Sequence, residues 1–287
     1  MPDKALGKIT NDWEGGYIRL RLFVGQYGEY EDTLEPGNWS HQPSPPPRDA
    51  KTLMCNLFQA KNLPSADSNA LADPFVIFYC GGEEIQTRKD EKLETLNPMW
   101  YRSLPLSVRC GDVSDAPPVI VYVMDYDEIG DNDLIGMCVL TCDNASMNDP
   151  TPMKPEWIDL SMGKKGCELG QILISFNMFT TSNIPRYDLM PEVVDTSVEI
   201  NVLGLRDLKP ALGWVPVTKP FVKFDLNSLQ MPGEEIKIRN VQTQPKEPGA
   251  NPNINTIIKL NIKMPVDPLF CPALTASVYD HLFMGLS

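Results

Sequence analysis

The stretch VIVYVMDYDEIGDNDLIGMCVL, residues 119–140, sets two apolar runs around a loop that carries Asp125, Asp127, Asp131 and Asp133. The flanking runs VIVYVM and IGMCVL are short, rich in Val and Ile, and bounded by Asp and Gly, which is the pattern of two β-strands joined by a turn. The loop poses an electrostatic problem, because carboxylates a few ångströms apart repel one another unless something neutralises them. Such a loop either stays splayed in water, with each Asp bonding its own backbone as a turn former, or it holds a cation.

Working outward, the same texture repeats. TLMCNLFQA starts at Thr52, PFVIFYC at Pro74, SLPLSV at Ser103 and QILISFNMF at Gln171, with Gly, Pro, Asn and Asp between them. Short apolar runs separated by turn residues, without helical periodicity, predict an all-β chain folded as an antiparallel sandwich. An earlier strand candidate, YIRLRLFVG at residues 17–25, is set apart by the Pro-rich HQPSPPPRD at residues 41–49, read as a stiff connector. That strand either opens the sandwich or ends a preceding domain.

A second β-rich series echoes the first. PFVIF begins at Pro74 and PFVKF at Pro220, 146 residues on; the NP pairs at Asn97 and Asn251 are 154 apart; the strand ends at Asp125 and Asp280 are 155 apart. Three landmarks in one order at near-constant spacing predict two copies of one module. The expected organisation is an N-terminal strand and connector over 1–50, a first module over 51–180, a linker over 181–192, and a second module over 193–287 that is incomplete at its C-terminus.

Composition narrows the function classes. A chain of 287 residues with 42% hydrophobic content can bury a sizeable core. No apolar run approaches the roughly 18 residues that cross a bilayer, and a secretory signal pattern is lacking. A formal net charge of −13 argues against nucleic acid, whose binding rests on Lys and Arg. Two histidines far apart give a catalytic constellation little to build from, so an enzyme is not expected. The seven cysteines lie mostly in apolar runs without CxxC spacing and are read as reduced core thiols.

The carboxylates then fall into two loops. PSADSNALAD, between Leu63 and Pro74, carries Asp67 and Asp73; the opening stretch carries Asp125, Asp127 and Asp133. If both loops leave the same end of a sandwich, five carboxylates converge. Calcium takes six to eight oxygen ligands in a flexible arrangement, which loops supply well.

LPSADSNALADPF, followed by TLNPMW and VMDYDEIGDNDLIG, resembles a C2 domain with its full set of calcium-ligating aspartates. The resemblance implies Asp67, Asp73, Asp125, Asp127 and Asp133 as ligands of Ca2+. The second copy, with VEINVLGLRDLKP, NPNINTIIKLNIKMP and VYDHLFMG, makes the pair similar to the C-terminal tandem C2 region of a ferlin, over roughly residues 52–287. Ferlins are membrane-anchored proteins of calcium-triggered vesicle fusion and membrane repair. The resemblance implies two C2-type sandwiches in tandem, an anionic phospholipid membrane as partner, and a place on the cytoplasmic face of membranes. The chain is accordingly read as a fragment without the membrane anchor.

In the second copy Lys219 stands in place of Asp73, Leu282 in place of Asp127, and only Asp280 remains, so no calcium is expected there and protein partners are. Leu71 and Ile129 are membrane-contact candidates, Leu71 against the competing reading that it packs on its own domain. Arg88, Lys89 and Lys92 could meet phosphoinositide, although the interleaved Asp90, Glu91 and Glu94 favour a solvated hairpin. A protein-interaction scaffold and a regulatory fragment of a C2-containing enzyme are the competing classes.

Overall fold

The structure is a computed structural model that describes residues 49–65, 71–87, 94–128, 130–143, 145–162, 169–180, 184–210, 216–233, 241–244 and 248–280. The strand candidate at residues 17–25 and the Pro-rich connector up to Arg48 lie outside these residues.

The described chain is built on antiparallel sheets, as the sequence predicts. Strand β1 (Asp49–Lys61) lies between β4 (Met99–Cys110) and β9 (Gln171–Phe179), antiparallel to both. Two short strands, β7 (Ser146–Met147) and β8 (Glu156–Asp159), extend the sheet beyond β9. The facing sheet runs β3 (Glu83–Gln86), β2 (Pro74–Cys80), β5 (Val119–Asp125), β6 (Asp133–Leu140). Pro105 is tolerated inside β4 because β4 is an edge strand whose outer side needs no ladder donor.

Period-two alternation turns one face of each sheet inward. Leu53, Cys55 and Leu57 of β1 meet Val76, Phe78 and Cys80 of β2 and Val119, Val121 and Val123 of β5, and all nine side chains are buried. Burying a side chain the size of Phe78 contributes about 1.5–3 kcal/mol. Trp100 sits in this core. Cys55, Cys80, Cys110, Cys138 and Cys142 are buried free thiols; Cys271 departs from the expectation and is exposed, since it follows a surface 3-10 turn at Pro268–Phe270.

The second series forms β10 (Val193–Gly204) paired with β13 (Asn253–Pro265), and β11 (Pro220–Asp225) between β12 (Val241–Gln242) and β14 (Thr275–Asp280). Val198, Ile200 and Val202 on β10 and Ile254, Ile258 and Ile262 on β13 pack against Val222 and Phe224 of β11.

The duplication extends to hydrogen bonds. Pro74 is paired with Asp125, and Pro220 with Asp280. Val76 N donates to Thr87 Oγ1 at 2.9 Å, and Val222 N to Thr243 Oγ1 at 2.9 Å. Asn62 N donates to Asn97 Oδ1, and Asp207 N to Asn251 Oδ1. Asn62 and Asp207 both have φ of 55°. Even the bulge recurs, between Leu57 and Gln59 and between Val202 and Gly204.

A third cluster joins the two series. Phe58, Met99, Tyr101 and Leu173, on the outer face of the first sheet, pack with Leu189, Met231, Leu269 and Phe270. The Phe58 and Phe270 rings lie 5.6 Å apart at 31°. Gln59 Nε2 donates to Phe270 O at 2.7 Å and also to the Tyr101 hydroxyl. Burial pushes the Tyr101 phenol up to about 12.

Candidate functional site

The strand ends of the second sheet position the aspartates. Asp73 immediately precedes β2, Asp125 ends β5 and Asp133 opens β6. In the register Pro74 faces Asp125 and Asp125 faces Asp133, so Asp73, Asp125 and Asp133 occupy neighbouring strand ends on one edge of the sandwich.

Local bonds hold this edge. The Asp73 amide donates to Asp125 Oδ1 at 2.7 Å, and the Tyr126 amide returns to Asp73 O at 3.1 Å. Asp125 is 1% exposed, buried as a carboxylate that caps a backbone amide. Asp73 Oδ1 in turn accepts from the Glu94 amide at 2.8 Å. Asp127 N donates to Asn132 Oδ1 at 3.1 Å, and Gly130 takes φ of 116°, which closes the loop and suits glycine. Asp131 and Asp133 are exposed and Asp127 is half-buried.

Asp67 and Ile129 lie outside the described residues, as do Arg88, Lys89 and Lys92. Among the described residues no three Asp, Glu, His or Cys side chains already form a metal cluster. Asp73 and Asp125 each accept a backbone amide through Oδ1. The donor set still fits a hard cation in kind, all oxygen and all from one sheet edge and its loop. Leu71 is 7% exposed and packs in the core of its own sandwich, the reading weighed against membrane contact at this position.

Residues 51–160, which hold every one of these aspartates, match the C2 domain family. This stretch is C2-like. The chain is 23% identical over 262 residues to myoferlin of Homo sapiens, covering 81% of the chain and 12% of that protein. It is 27% identical over 215 residues to synaptotagmin-3 of Rattus norvegicus, covering 73% of the chain and 32% of that protein. The chain thus spans only a small part of these relatives. Among solved structures, a single C2 domain of plant extended synaptotagmin 1 is 20% identical, covers 46% of the chain and 96% of that structure, and superposes with a TM-score of 0.39. A two-domain C2 structure of extended synaptotagmin 2 is 16% identical over 91% of the chain and 82% of that structure, with a TM-score of 0.37.

Beyond the C2 domain match, the corresponding edge of the second series is arranged differently. Asp280 accepts from the Thr218 amide at 3.0 Å, the Thr218 hydroxyl at 3.1 Å and the Lys219 amide at 2.6 Å. The backbone geometry that Asp125 has with Asp73 is kept, while the neighbouring side chain is a lysine.

Sequence reasoning missed two partners of the C2 site. The Asn132 side chain braces Asp127, and the Glu94 amide braces Asp73. Asn132 could have been found as an Asx-type turn residue; Glu94 carries no such signal, because its amide arrives from a loop 21 residues away.

Proposed function

We propose that the C2 domain of this chain binds calcium through Asp67, Asp73, Asp125, Asp127 and Asp133 and thereby docks on an anionic phospholipid membrane. The observation that carries the reading is the register of β2, β5 and β6, which gathers Asp73, Asp125 and Asp133 on one edge, with Asp127 in the loop between the last two.

Without an ion, this edge repels a leaflet whose surface potential is on the order of −30 mV. A bound calcium ion supplies the positive charge that reverses that repulsion and open coordination positions for lipid oxygens. The chain's own contribution is to hold the carboxylates at fixed strand ends, Asp125 through the Asp73 amide and Asp73 through the Glu94 amide. Ion and lipid then each raise affinity for the other.

Similarity to myoferlin over most of the chain, together with the resemblance of both copies to the ferlin pattern, supports a role as part of a ferlin-like protein in vesicle fusion, trafficking or repair at the cytoplasmic face of membranes. The second copy, with Lys219 beside Asp280, is read as a calcium-independent module that contacts protein.

The test is co-sedimentation of the chain with phosphatidylserine vesicles, in calcium and in chelator, beside Asp125→Asn with Asp127→Asn. Pelleting of the wild type in calcium alone, lost in the double variant, supports the reading. Wild type that stays in solution under both conditions overturns it and favours the protein-interaction class.

A further inference from the structure

The segment 94–97 is held from both sides. On one side it serves the candidate calcium site, since the Glu94 amide donates to Asp73 Oδ1 at 2.8 Å and the Thr95 amide to Ala72 O at 2.9 Å. On the other side the second repeat grips it. Asp225 Oδ2 accepts from the Thr95 hydroxyl at 2.7 Å and from the Leu96 amide at 3.2 Å. Asn227 Nδ2 donates to Glu94 O at 3.2 Å, and Thr275 Oγ1 accepts from Asn97 Nδ2 at 2.8 Å.

Glu94 adopts φ of 46°, a left-handed conformation that a non-glycine residue holds only when its surroundings impose it. Its N–H is fixed by Asp73 and its C=O by Asn227, so the contact with the second repeat bears on the same residue, through the peptide that follows the one bonded to the site. The duplication shows what is special here. The repeat equivalent of Asp225 is Tyr79, and that of Glu94 is Pro248, which has no amide hydrogen to give. A carboxylate at 4% exposure in β11 therefore reaches the first repeat as well as its own turn at Asn227 and Ser228.

We propose that the second repeat, with few acidic ligands of its own, positions those of the first: Asn227 holds Glu94 and Asp225 holds the adjoining Thr95 and Leu96 in place, and the Glu94 amide holds the Asp73 carboxylate ready for calcium. This rests on the calcium reading above. Asp225 and Asn227 are positioning residues that touch no cation.

The experiment uses the whole chain and two readouts. Calcium affinity is measured by calorimetry for wild type, Asp225→Ala, Asn227→Ala and Asp225→Asn, and hydrogen exchange over residues 94–97 is measured in chelator. Loss of a partner that orients a ligand typically weakens metal binding about 10-fold or more, which is the expectation for Asp225→Ala and, in smaller measure, Asn227→Ala. Both variants should also exchange faster at 94–97 without metal. Asp225→Asn keeps an acceptor oxygen and should restore most of the affinity. Asn227→Ala removes a half-buried amide, so its reading stands even if Asp225→Ala fails to fold. Wild-type affinity in both alanine variants, or unchanged exchange at 94–97, overturns the positioning role alone. A wild type that binds no calcium overturns the calcium reading and this proposal with it.

Discussion

Asp225 is a carboxylate nearly removed from water, and its protonation should be visible in stability. Burial is the main influence on it and raises its pKa above the ordinary 3.8, against hydrogen bonds from Thr95, Leu96, Ser228 and Asn227 that favour the charged form. Oδ1 is buried without a hydrogen bond of good geometry. A raised folded pKa means that the folded state binds more protons than the unfolded chain, so this residue's contribution falls as pH rises from about 3.8 through its folded value and is constant above it. Urea midpoints of wild type and Asp225→Asn, compared from pH 3.5 upward, should therefore diverge in favour of the variant as pH rises and then run parallel. Profiles parallel throughout would mean that Asp225 titrates normally. Asp125 behaves differently, because its Oδ1 takes the Asp73 amide. Asp125→Ala strands that donor and should cost about 1–3 kcal/mol more than Asp125→Asn, read as the difference in unfolding free energy in chelator.

At the scale of elements, the two repeats share a threonine latch. Thr87 accepts from Val76 N and donates its own amide to Val76 O at 2.9 Å; Thr243 does the same with Val222, at 2.8 Å for the second bond. Both threonines are buried, at 3% and 0% exposure. Thr87→Val or Thr243→Val preserves shape but leaves a buried amide unpaired, so each should lose about 1–3 kcal/mol in urea unfolding. Loss below about 0.5 kcal/mol in both would show that the strand reorganises around the change. A further element boundary is set by Gly170, at φ of 86°, where an added Cβ would lie 2.5 Å from Lys61 O. What the sequence revealed follows from these elements. PFVIF and PFVKF mark β2 and β11 because alternation and a leading proline are strong local signals. The polar strands EEIQ and VQ were not legible, since neighbouring strands impose them without apolar alternation. Leu71 sits in a polar loop where sequence allows either membrane contact or packing on its own domain, and the chain returning to β2 turns it inward. The Glu94 contribution was hidden because a left-handed glutamate is set by tertiary contacts and runs against its own preference.

For the whole molecule, the question is how far the second repeat depends on the first. Among the described residues its core is a small set of apolar side chains between two narrow sheets, and β10 is paired with β13 alone. Such a unit gains much of its stability from packing elsewhere. The cluster around Phe270 supplies it, with the ring 5.6 Å from Phe58 and 6.3 Å from Tyr101. Phe270 is half-buried, so Phe270→Ala should remove about 1–3 kcal/mol, less than a fully buried ring. The bond from Gln59 goes to the Phe270 carbonyl and survives the substitution, which isolates the ring's share. Because β1 and β9 have their own core, the loss should fall on one side of the interface. Hydrogen exchange should quicken across β10 and β13 while β1 and β9 keep wild-type protection. If protection falls equally in both repeats, the pair unfolds as one cooperative unit, and Phe270 stabilises the first sandwich as much as the second.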